Sequence, residues 1–411
     1  MLRRLRFSKR GLLVFLATMG PGIITASVDQ DAGGIATYSM AGARYGFGLL
    51  WTIPFMVVSL GVIQEMGARM GIIAGRGLAD LIRERLGLRV TVGALSLLTL
   101  ANVANTVANF AGVGASTEMY GISRYISVPV TALAVMWLVV RGSYRMVERA
   151  FLVSSGLYLV YAISAILARP PWFAVLHQTV RPTFQMDRDY LTMLITVVGT
   201  TITPWMLFYL QSSVVEKGIR AAELSYARAD SYLGSVISGV MVFFIIVACG
   251  ATLYPHGIRV ETAEEAAKAI EPFAGRFAAF LFAFGLFNSS VAAAAIIPLS
   301  SAYAVCEGLG FETGVNRMPR EAPVFFANYL GMVAVGAVLI LIPGAPLLRI
   351  MFLSQTLNGI LLPFMLLFML RLINDREVMG VHVNSALMNL VGWGTAFTMI
   401  GLTVLLLLSS V

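Results

Sequence analysis

The chain has 411 residues, of which 58% are hydrophobic and 12% are charged. This balance excludes a soluble globular protein and predicts an all-α integral membrane protein. The net charge of +8 does not indicate nucleic-acid binding, because the basic residues are scattered over short loops and form no single stripe. Cys249 and Cys306 both lie in apolar sequence, so neither a disulfide framework nor a thiolate metal site is predicted.

Long apolar runs between charged residues predict eleven transmembrane helices. Their bounds are near 12–43, 47–73, 91–118, 126–141, 150–168, 190–214, 230–254, 275–306, 323–343, 346–371 and 386–410. If the N-terminus is cytoplasmic, Lys and Arg are about twice as frequent in the inner loops as in the outer ones. We therefore expect a multi-pass protein of the cell membrane with its N-terminus in the cytoplasm and its C-terminus outside.

The first predicted span contains two carboxylates, Asp29 and Asp31, at membrane depth. An ionised carboxylate there is costly unless a cation, a partner or water meets it, so Asp31 is a candidate functional residue. The sequence Ala32-Gly33-Gly34 that follows is expected to unwind the helix and free its carbonyl groups. The alternative is a turn outside the membrane over residues 28–34, in which Asp31 is simply solvated.

The sixth predicted span carries Gly199 and Pro204 in its middle. Proline removes a helical hydrogen bond, which frees the carbonyls near residues 200–203. Taken alone, this pattern predicts a plain proline kink. Paired with the break in the first span, five spans earlier, it favours a transporter built from inverted repeats, with the substrate site where the two breaks face each other.

Two segments between spans have an open interpretation. Residues 77–86 alternate apolar and charged residues at helical spacing, which is typical of a helix on the membrane surface or of a solvated loop helix. The outer loop 255–274 is acidic and either raises the local cation concentration or is merely soluble.

Several motifs resemble those of a known family. Gly20-Pro-Gly, Asp31-Ala-Gly-Gly-Ile-Ala-Thr37, Ala41-Gly-Ala and Leu49-Leu-Trp51 resemble the first-helix region of the Nramp divalent-metal transporters, whose motif there reads Asp-Pro-Gly-Asn. Pro204 stands at the family's Met-Pro-His helix break, Asn288-Ser-Ser resembles its eighth span, and Ser354-Gln355 through Asp375-Arg-Glu-Val-Met-Gly380 resembles its tenth.

The resemblance implies a LeuT-like (APC) fold within a single transporter domain, 1–410. It implies two inverted five-helix repeats, 12–168 and 190–371, and an extra eleventh helix, 386–410. The family carries Mn²⁺, Fe²⁺ and similar ions together with protons.

Departures from the family pattern are concentrated at the site. Gly34 replaces the family's Asn, Thr203 its metal-binding Met, and Trp205 its His. Removing a thioether favours a harder cation, and a smaller residue at 34 enlarges the site. Thr106 and Asn109 stand where the family places an Asp and a Glu for proton release, and neither side chain titrates at physiological pH. The pattern resembles the Nramp-related magnesium transporters, which implies transport without proton coupling.

We therefore expect an importer of Mg²⁺, which also accepts Mn²⁺, acting as a monomer in the lipid bilayer without a resident cofactor. Asp31 is the expected charged ligand. The other expected ligands are the carbonyls near Val28 and Thr200, the Thr203 hydroxyl and Gln355; Gly33, Gly34, Pro204, Trp205 and Asn288 are expected to shape the pocket. Asp29 either attracts the hydrated ion or pairs with a cation.

Two other transport functions remain open at this point. The nearer alternative is a proton-coupled Mn²⁺/Fe²⁺ symporter, and the more distant one is a sodium-coupled symporter of an organic solute on the same fold. An enzyme is not expected, because the sequence has no His-Glu-x-x-His or Gly-x-Ser-x-Gly motif.

Overall fold

The computed structural model describes Phe15 and residues 17–260, 263–343 and 347–408, and these residues form helices and connecting turns with no β-strand. The start of the first predicted span, Glu261 of the acidic loop and the last residues of the eleventh span lie outside the described residues. The helices are α1 Pro21–Val28, α2 Ala32–Tyr45, α3 Thr52–Ala74, α4 Leu78–Leu86, α5 Leu88–Glu118, α6 Arg124–Arg141, α7 Tyr144–Leu157, α8 Leu159–Leu167, α9 Trp172–Val180, α10 Arg188–Thr201, α11 Pro204–Lys217, α12 Leu224–Thr252, α13 Ala263–Ala274, α14 Arg276–Leu309, α15 Pro323–Leu341, α16 Leu347–Ile373, α17 Arg376–Met379 and α18 Ala386–Leu408.

Within the described residues, 10 helical segments are long and apolar enough to cross a membrane. Each overlaps one of the predicted spans two to eleven, and several extend beyond the predicted bounds. The helices α1 and α2 are individually too short to cross, and together they occupy the first predicted span. The prediction of an all-helical membrane protein is therefore confirmed.

Both predicted helix breaks are present. Residues 29–31 separate α1 from α2, and residues 202–203 separate α10 from α11. Asp29 and Asp31 are only 1% and 4% exposed, so the alternative of a solvated turn outside the membrane is wrong. Pro204 is the first residue of α11. The N–H of a residue at this position has no partner within the helix, so proline, which lacks an N–H, loses no helical hydrogen bond there. The sixth span is thus divided and not merely kinked.

The prediction that Ala32-Gly33-Gly34 unwinds was wrong in its position. These residues form the first turn of α2, and the unwound residues precede them. The physical reason is capping: Asp31 has extended backbone, and its carboxylate accepts the N–H of Gly34 at 2.7 Å. An acidic N-cap satisfies a free N–H of the first helical turn and so starts the helix at residue 32.

Small residues bring the two breaks close to the neighbouring helices. A Cβ atom on Gly199 of α10 would overlap the backbone of Gly359 on α16, so these helices are in direct backbone contact. A Cβ on Gly112 of α5 would overlap Ala32. These close approaches place side chains of α5 and α16 beside the first break.

The two segments with an open interpretation are both helical. In α4, Leu78, Ala79, Leu81 and Ile82 are buried, as the amphipathic pattern predicts. Residues 263–274, which we expected to belong to an acidic loop, form α13 instead. Its buried residues Ala266, Ala267 and Ile270 recur at helical spacing and give the helix an apolar face to bury, which outweighs the acidic composition.

Candidate functional site

Asp31 is held by hydrogen-bond donors from three parts of the chain. Its Oδ1 accepts the backbone N–H of Gly34 at 2.7 Å, and its Oδ2 accepts the Asn109 side-chain amide at 3.1 Å. The Gln355 amide of α16 lies 3.3 and 3.4 Å from the two carboxylate oxygens. These donors fix the carboxylate at the end of the unwound segment.

Asn109 is a part of this site that the sequence analysis missed. The sequence predicts for it only a lost proton-release position. In the structure its Oδ1 accepts the N–H of Ala32 at 3.0 Å, while its Nδ2 donates to Asp31. Asn109 therefore holds both the Asp31 carboxylate and the first N–H of α2.

Two further amides form a network behind Asn109 and Gln355. Asn105 and Asn358 exchange hydrogen bonds of 3.2 Å in both directions, and the Asn358 amide donates to Gln355 Oε1 at 3.1 Å. This network orients Gln355 so that its N–H, and not its carbonyl oxygen, faces Asp31. Binding of an ion by Gln355, as we predicted, requires rotation of its amide. The one available sequence indication was the spacing of Asn102, Asn105 and Asn109 on one face of a helix.

Oxygen atoms from both breaks converge on Gly34. A Cβ atom there would lie 3.0 Å from the Asp29 carbonyl oxygen, 3.0 Å from Thr200 Oγ1 and 3.3 Å from Asp31 Oδ1. Glycine at this position thus leaves a small space lined by a carboxylate, a hydroxyl and a carbonyl oxygen. Such a set of oxygen atoms suits the coordination of a hard divalent cation.

Several buried oxygens near the breaks lack a partner among the described residues. Thr200 Oγ1 and Asp29 Oδ2 accept and donate no hydrogen bond, and the same holds for Ser27 Oγ and Gln30 Oε1 beside the first break. Buried polar groups are normally paired, because leaving one unpaired costs about 1–3 kcal/mol. Free oxygens at this depth are therefore available to a bound ion or its waters.

Thr203 and Asp29 join the two breaks directly. The Thr203 hydroxyl donates to Asp29 Oδ1 across the gap between the unwound segments. Asp29 is buried and makes no ion pair with a Lys or Arg of the described residues. Its carboxylate instead leaves Oδ2 unpaired within the site.

Three of the remaining predicted residues, Gly33, Val28 and Trp205, are buried next to one of the two breaks. A Cβ on Gly33 would overlap the Gln355 amide, so this glycine allows α16 to approach. Val28 is buried at the end of α1. Trp205 is fully buried at the start of α11, and its carbonyl oxygen accepts the Ser300 hydroxyl at 2.9 Å.

Two predicted residues have their polar atoms engaged elsewhere. The Ser154 hydroxyl of α7 donates to Asn288 Oδ1 at 2.8 Å, and Asn288 Nδ2 donates to the Ser154 carbonyl at 3.0 Å. Thr106 donates to the Asn102 carbonyl of its own helix at 2.7 Å. The structure therefore gathers Asp31, Asp29, Thr200, Thr203, Gln355 and Asn109, and it gives Asn288 and Thr106 other partners.

The site differs from a typical metal centre of His, Cys and carboxylates. No group of three or more His, Cys, Asp or Glu residues is close enough to hold a metal within the described part of the chain. The polar groups at the breaks are two carboxylates supplemented by amide, hydroxyl and carbonyl oxygens. Oxygen ligands of this kind suit Mg²⁺, Ca²⁺ and Mn²⁺ better than softer ions.

Comparison with known proteins identifies the family. Residues 22–409 match the family model "Nramp: Natural resistance-associated macrophage protein-like". The chain is 30% identical to the divalent metal cation transporter MntH of Xylella fastidiosa (strain 9a5c), over 97% of this chain and 87% of the relative.

Solved structures agree on the fold. The manganese transporter of Eremococcus coleocola, in complex with an aromatic bis-isothiourea compound, superposes with a TM-score of 0.76 at 22% identity, covering 98% of this chain and 87% of that one. MHP1, a nucleobase-cation-symport-1 family transporter, superposes with a TM-score of 0.60 at 14% identity, covering 95% of this chain and 92% of that one. With its broken first and sixth spans and its LeuT-like fold, the chain belongs to the Nramp family.

Proposed function

We propose that the chain transports Mg²⁺, and also Mn²⁺, across the cell membrane by alternating access without proton coupling. Divalent-metal transport is supported by the family match and by the name of the Xylella relative. The choice of Mg²⁺ depends on one observation: Asp29 O, Thr200 Oγ1 and Asp31 Oδ1 converge on the space that Gly34 leaves open.

The chemistry of this space favours a hard ion. Mg²⁺ binds oxygen at about 2.0–2.1 Å and usually keeps several of its waters. The atoms that surround the space at Gly34 are oxygens, and Thr203 stands where the family has a methionine. The unpaired oxygens of Thr200 and Asp29 are suited to accept hydrogen bonds from the waters of a partly hydrated ion.

The neighbours of Asp31 also support uncoupled transport. The side chains that contact it from α5 and α16 are the amides of Asn109 and Gln355, and behind them lie Asn105 and Asn358. Amide side chains do not gain or lose a proton by titration at physiological pH, so they cannot carry protons away. Inward movement of a divalent ion across 100 mV releases about 4.6 kcal/mol, so the membrane potential alone can drive uptake.

The proposed arrangement has the N-terminus in the cytoplasm and the C-terminus outside, on the basis of the distribution of Lys and Arg. The divalent ion is the substrate, and no resident cofactor is invoked. A monomer is sufficient, because both halves of the site come from one chain.

Ion flux into proteoliposomes tests the proposal. Purified protein is reconstituted with a pH dye in the lumen, and Mg²⁺ and Mn²⁺ are supplied in separate runs under an inward-negative potential. We expect Mg²⁺ entry without lumenal acidification, and its loss in Asp31→Ala. Entry of Mn²⁺ alone, with acidification, would instead identify a proton-coupled symporter of the kind we considered as the nearer alternative.

A further inference from the structure

A polar pocket and an apolar groove lie side by side where α7, α8, α1 and α12 meet. The polar pocket has a volume of about 770 Å³ and is lined by Arg145, Arg149, Glu148, Glu216 and Lys217 together with neutral residues. The apolar groove has a volume of about 380 Å³. Met19 and Leu152 line both, so the two cavities are adjacent.

The sequence of α7 and α8 produces this division. Arg145, Arg149, Leu152, Gly156 and Leu159 follow one another at spacings of four and three residues, which places them on one face of the helix. The face is cationic at its first two positions and apolar afterwards. Because residues 144–167 form one membrane-spanning segment, the cations lie at its end and the apolar residues lie deeper.

The lining of the polar pocket carries three cations and two carboxylates, a net charge of +1. Lys217 pairs with Glu148 at 2.6 Å and also donates to the Met19 carbonyl at 2.8 Å. Glu216 accepts the backbone N–H of Asn316 at 3.1 Å. Arg145 and Arg149 lie near enough to Glu148 to interact with it electrostatically, but both are exposed and neither forms an ion pair with a described residue.

The deeper groove is apolar and open to the side. Ile23 of α1, Gly156 of α7, Leu159 of α8 and Val240 of α12 are among its lining residues. Leu159 and Val240 are 69% and 45% exposed, which is typical of a surface that faces lipid. A Cβ atom on Gly156 would meet no atom within 4 Å, so glycine here leaves the groove wide.

We propose that this composite cavity binds one anionic phospholipid, with its phosphate at Arg145 and Arg149 and one acyl chain in the groove against α1. Arginine binds phosphate oxygens with two parallel hydrogen bonds, and basic residues beside a membrane span attract anionic lipids. The acyl chain fits a groove that contains almost no polar surface. Since Ile23 belongs to α1, the lipid contacts the half-helix that leads to the Asp29–Asp31 break.

Photo-crosslinking of the full chain in phosphatidylcholine vesicles tests this site. The probe is a phosphatidylglycerol with a diazirine in its acyl chain, and the labelled peptides are mapped after irradiation. We expect labelling in α1, α7, α8 and α12. Unlabelled phosphatidylglycerol should compete better than phosphatidylcholine of the same acyl chains, and soluble glycerol 3-phosphate should not compete.

Matched variants separate the two parts of the cavity. The double variant R145A/R149A should weaken competition by phosphatidylglycerol by about fivefold for each arginine removed. R220A/R376A removes the same charge from exposed arginines outside the cavity and should behave like the wild type. Gly156→Leu should reduce labelling by filling the groove, whereas Gly156→Ala should leave labelling nearly unchanged.

Three results would overturn the proposal. The first is equal competition by phosphatidylglycerol and phosphatidylcholine in the wild type, because the arginines would then select no charge. The second is displacement by glycerol 3-phosphate, which would show a site for a free phosphate and not for a lipid. The third is full labelling in a Gly156→Leu protein that melts at the temperature of the wild type and is therefore folded.

Discussion

Asn109 and Asp31 lie 78 positions apart in the chain and are joined by a hydrogen bond of 3.1 Å at the centre of the membrane domain. The same asparagine accepts the N–H of Ala32 at 3.0 Å. One neutral side chain thus fixes both the candidate ligand and the start of α2. A carboxylate at this position could not donate to Asp31, and the two negative charges would repel each other.

Replacement of Asn109 by alanine should therefore impair transport through the position of Asp31. The change leaves the Ala32 N–H without its acceptor and removes one donor to Asp31, which costs about 1–3 kcal/mol. We expect Mg²⁺ flux to fall about tenfold or more and the thermal stability of the detergent-solubilised protein to fall. Thr106→Val is the control, because Thr106 bonds only to its own helix. Equal effects of both variants would contradict a specific role for Asn109.

Gly34→Ala should weaken Mg²⁺ binding. The added Cβ would lie 3.0 Å from both Asp29 O and Thr200 Oγ1, so it would occupy the space between the oxygens. We expect the Kd for Mg²⁺, measured by calorimetry, to rise about tenfold, which corresponds to about 1.4 kcal/mol. Gly331→Ala on α15 is the control, since its Cβ meets no atom within 4 Å. An unchanged Kd in Gly34→Ala would place the ion elsewhere.

Much of the fold follows from the sequence because its causes are local. Pro204 and the acidic Asp31 each start a helix by their own chemistry, and the runs of apolar residues set the number of spans. The roles of Asn109 and Asn358 could not be predicted in the same way. Their partners are distant in the chain. They are brought together by the close approach of Gly199 to Gly359 and of Gly112 to Ala32, which is a property of the packed structure.

Thr203→Met should shift selectivity from Mg²⁺ towards Mn²⁺. A thioether is a softer ligand than a hydroxyl, and Mg²⁺ gains little from sulfur. The variant also loses the hydrogen bond from Thr203 to Asp29, so Thr203→Val, which lacks both hydroxyl and sulfur, is needed for comparison. We expect the ratio of Mn²⁺ to Mg²⁺ uptake in competition to rise in the methionine variant only. A rise in both variants would assign the effect to the lost hydrogen bond.

Glu65 is expected to stabilise the fold rather than to bind the substrate. It is fully buried on α3, where it pairs with Arg69 at 3.0 Å and with Arg228 of α12 at 2.6 Å. Arg69 itself is 1% exposed and also donates to the His382 carbonyl and, at 2.5 Å, to Asn384 before α18. This network joins α3, α12 and the segment leading into the last helix.

Glu65→Gln leaves the buried Arg69 with no full negative charge beside it, a change that typically costs about 3–5 kcal/mol. We expect a large drop in the apparent melting temperature in detergent, with the Kd for Mg²⁺ unchanged at temperatures where the protein remains folded. The control Glu84→Gln breaks the ion pair of Glu84 with Arg76, whose side chains are 47% and 52% exposed. Loss of this surface pair should lower the free energy of unfolding by less than about 1 kcal/mol. If the two variants melt together, the buried network contributes no more than a surface pair.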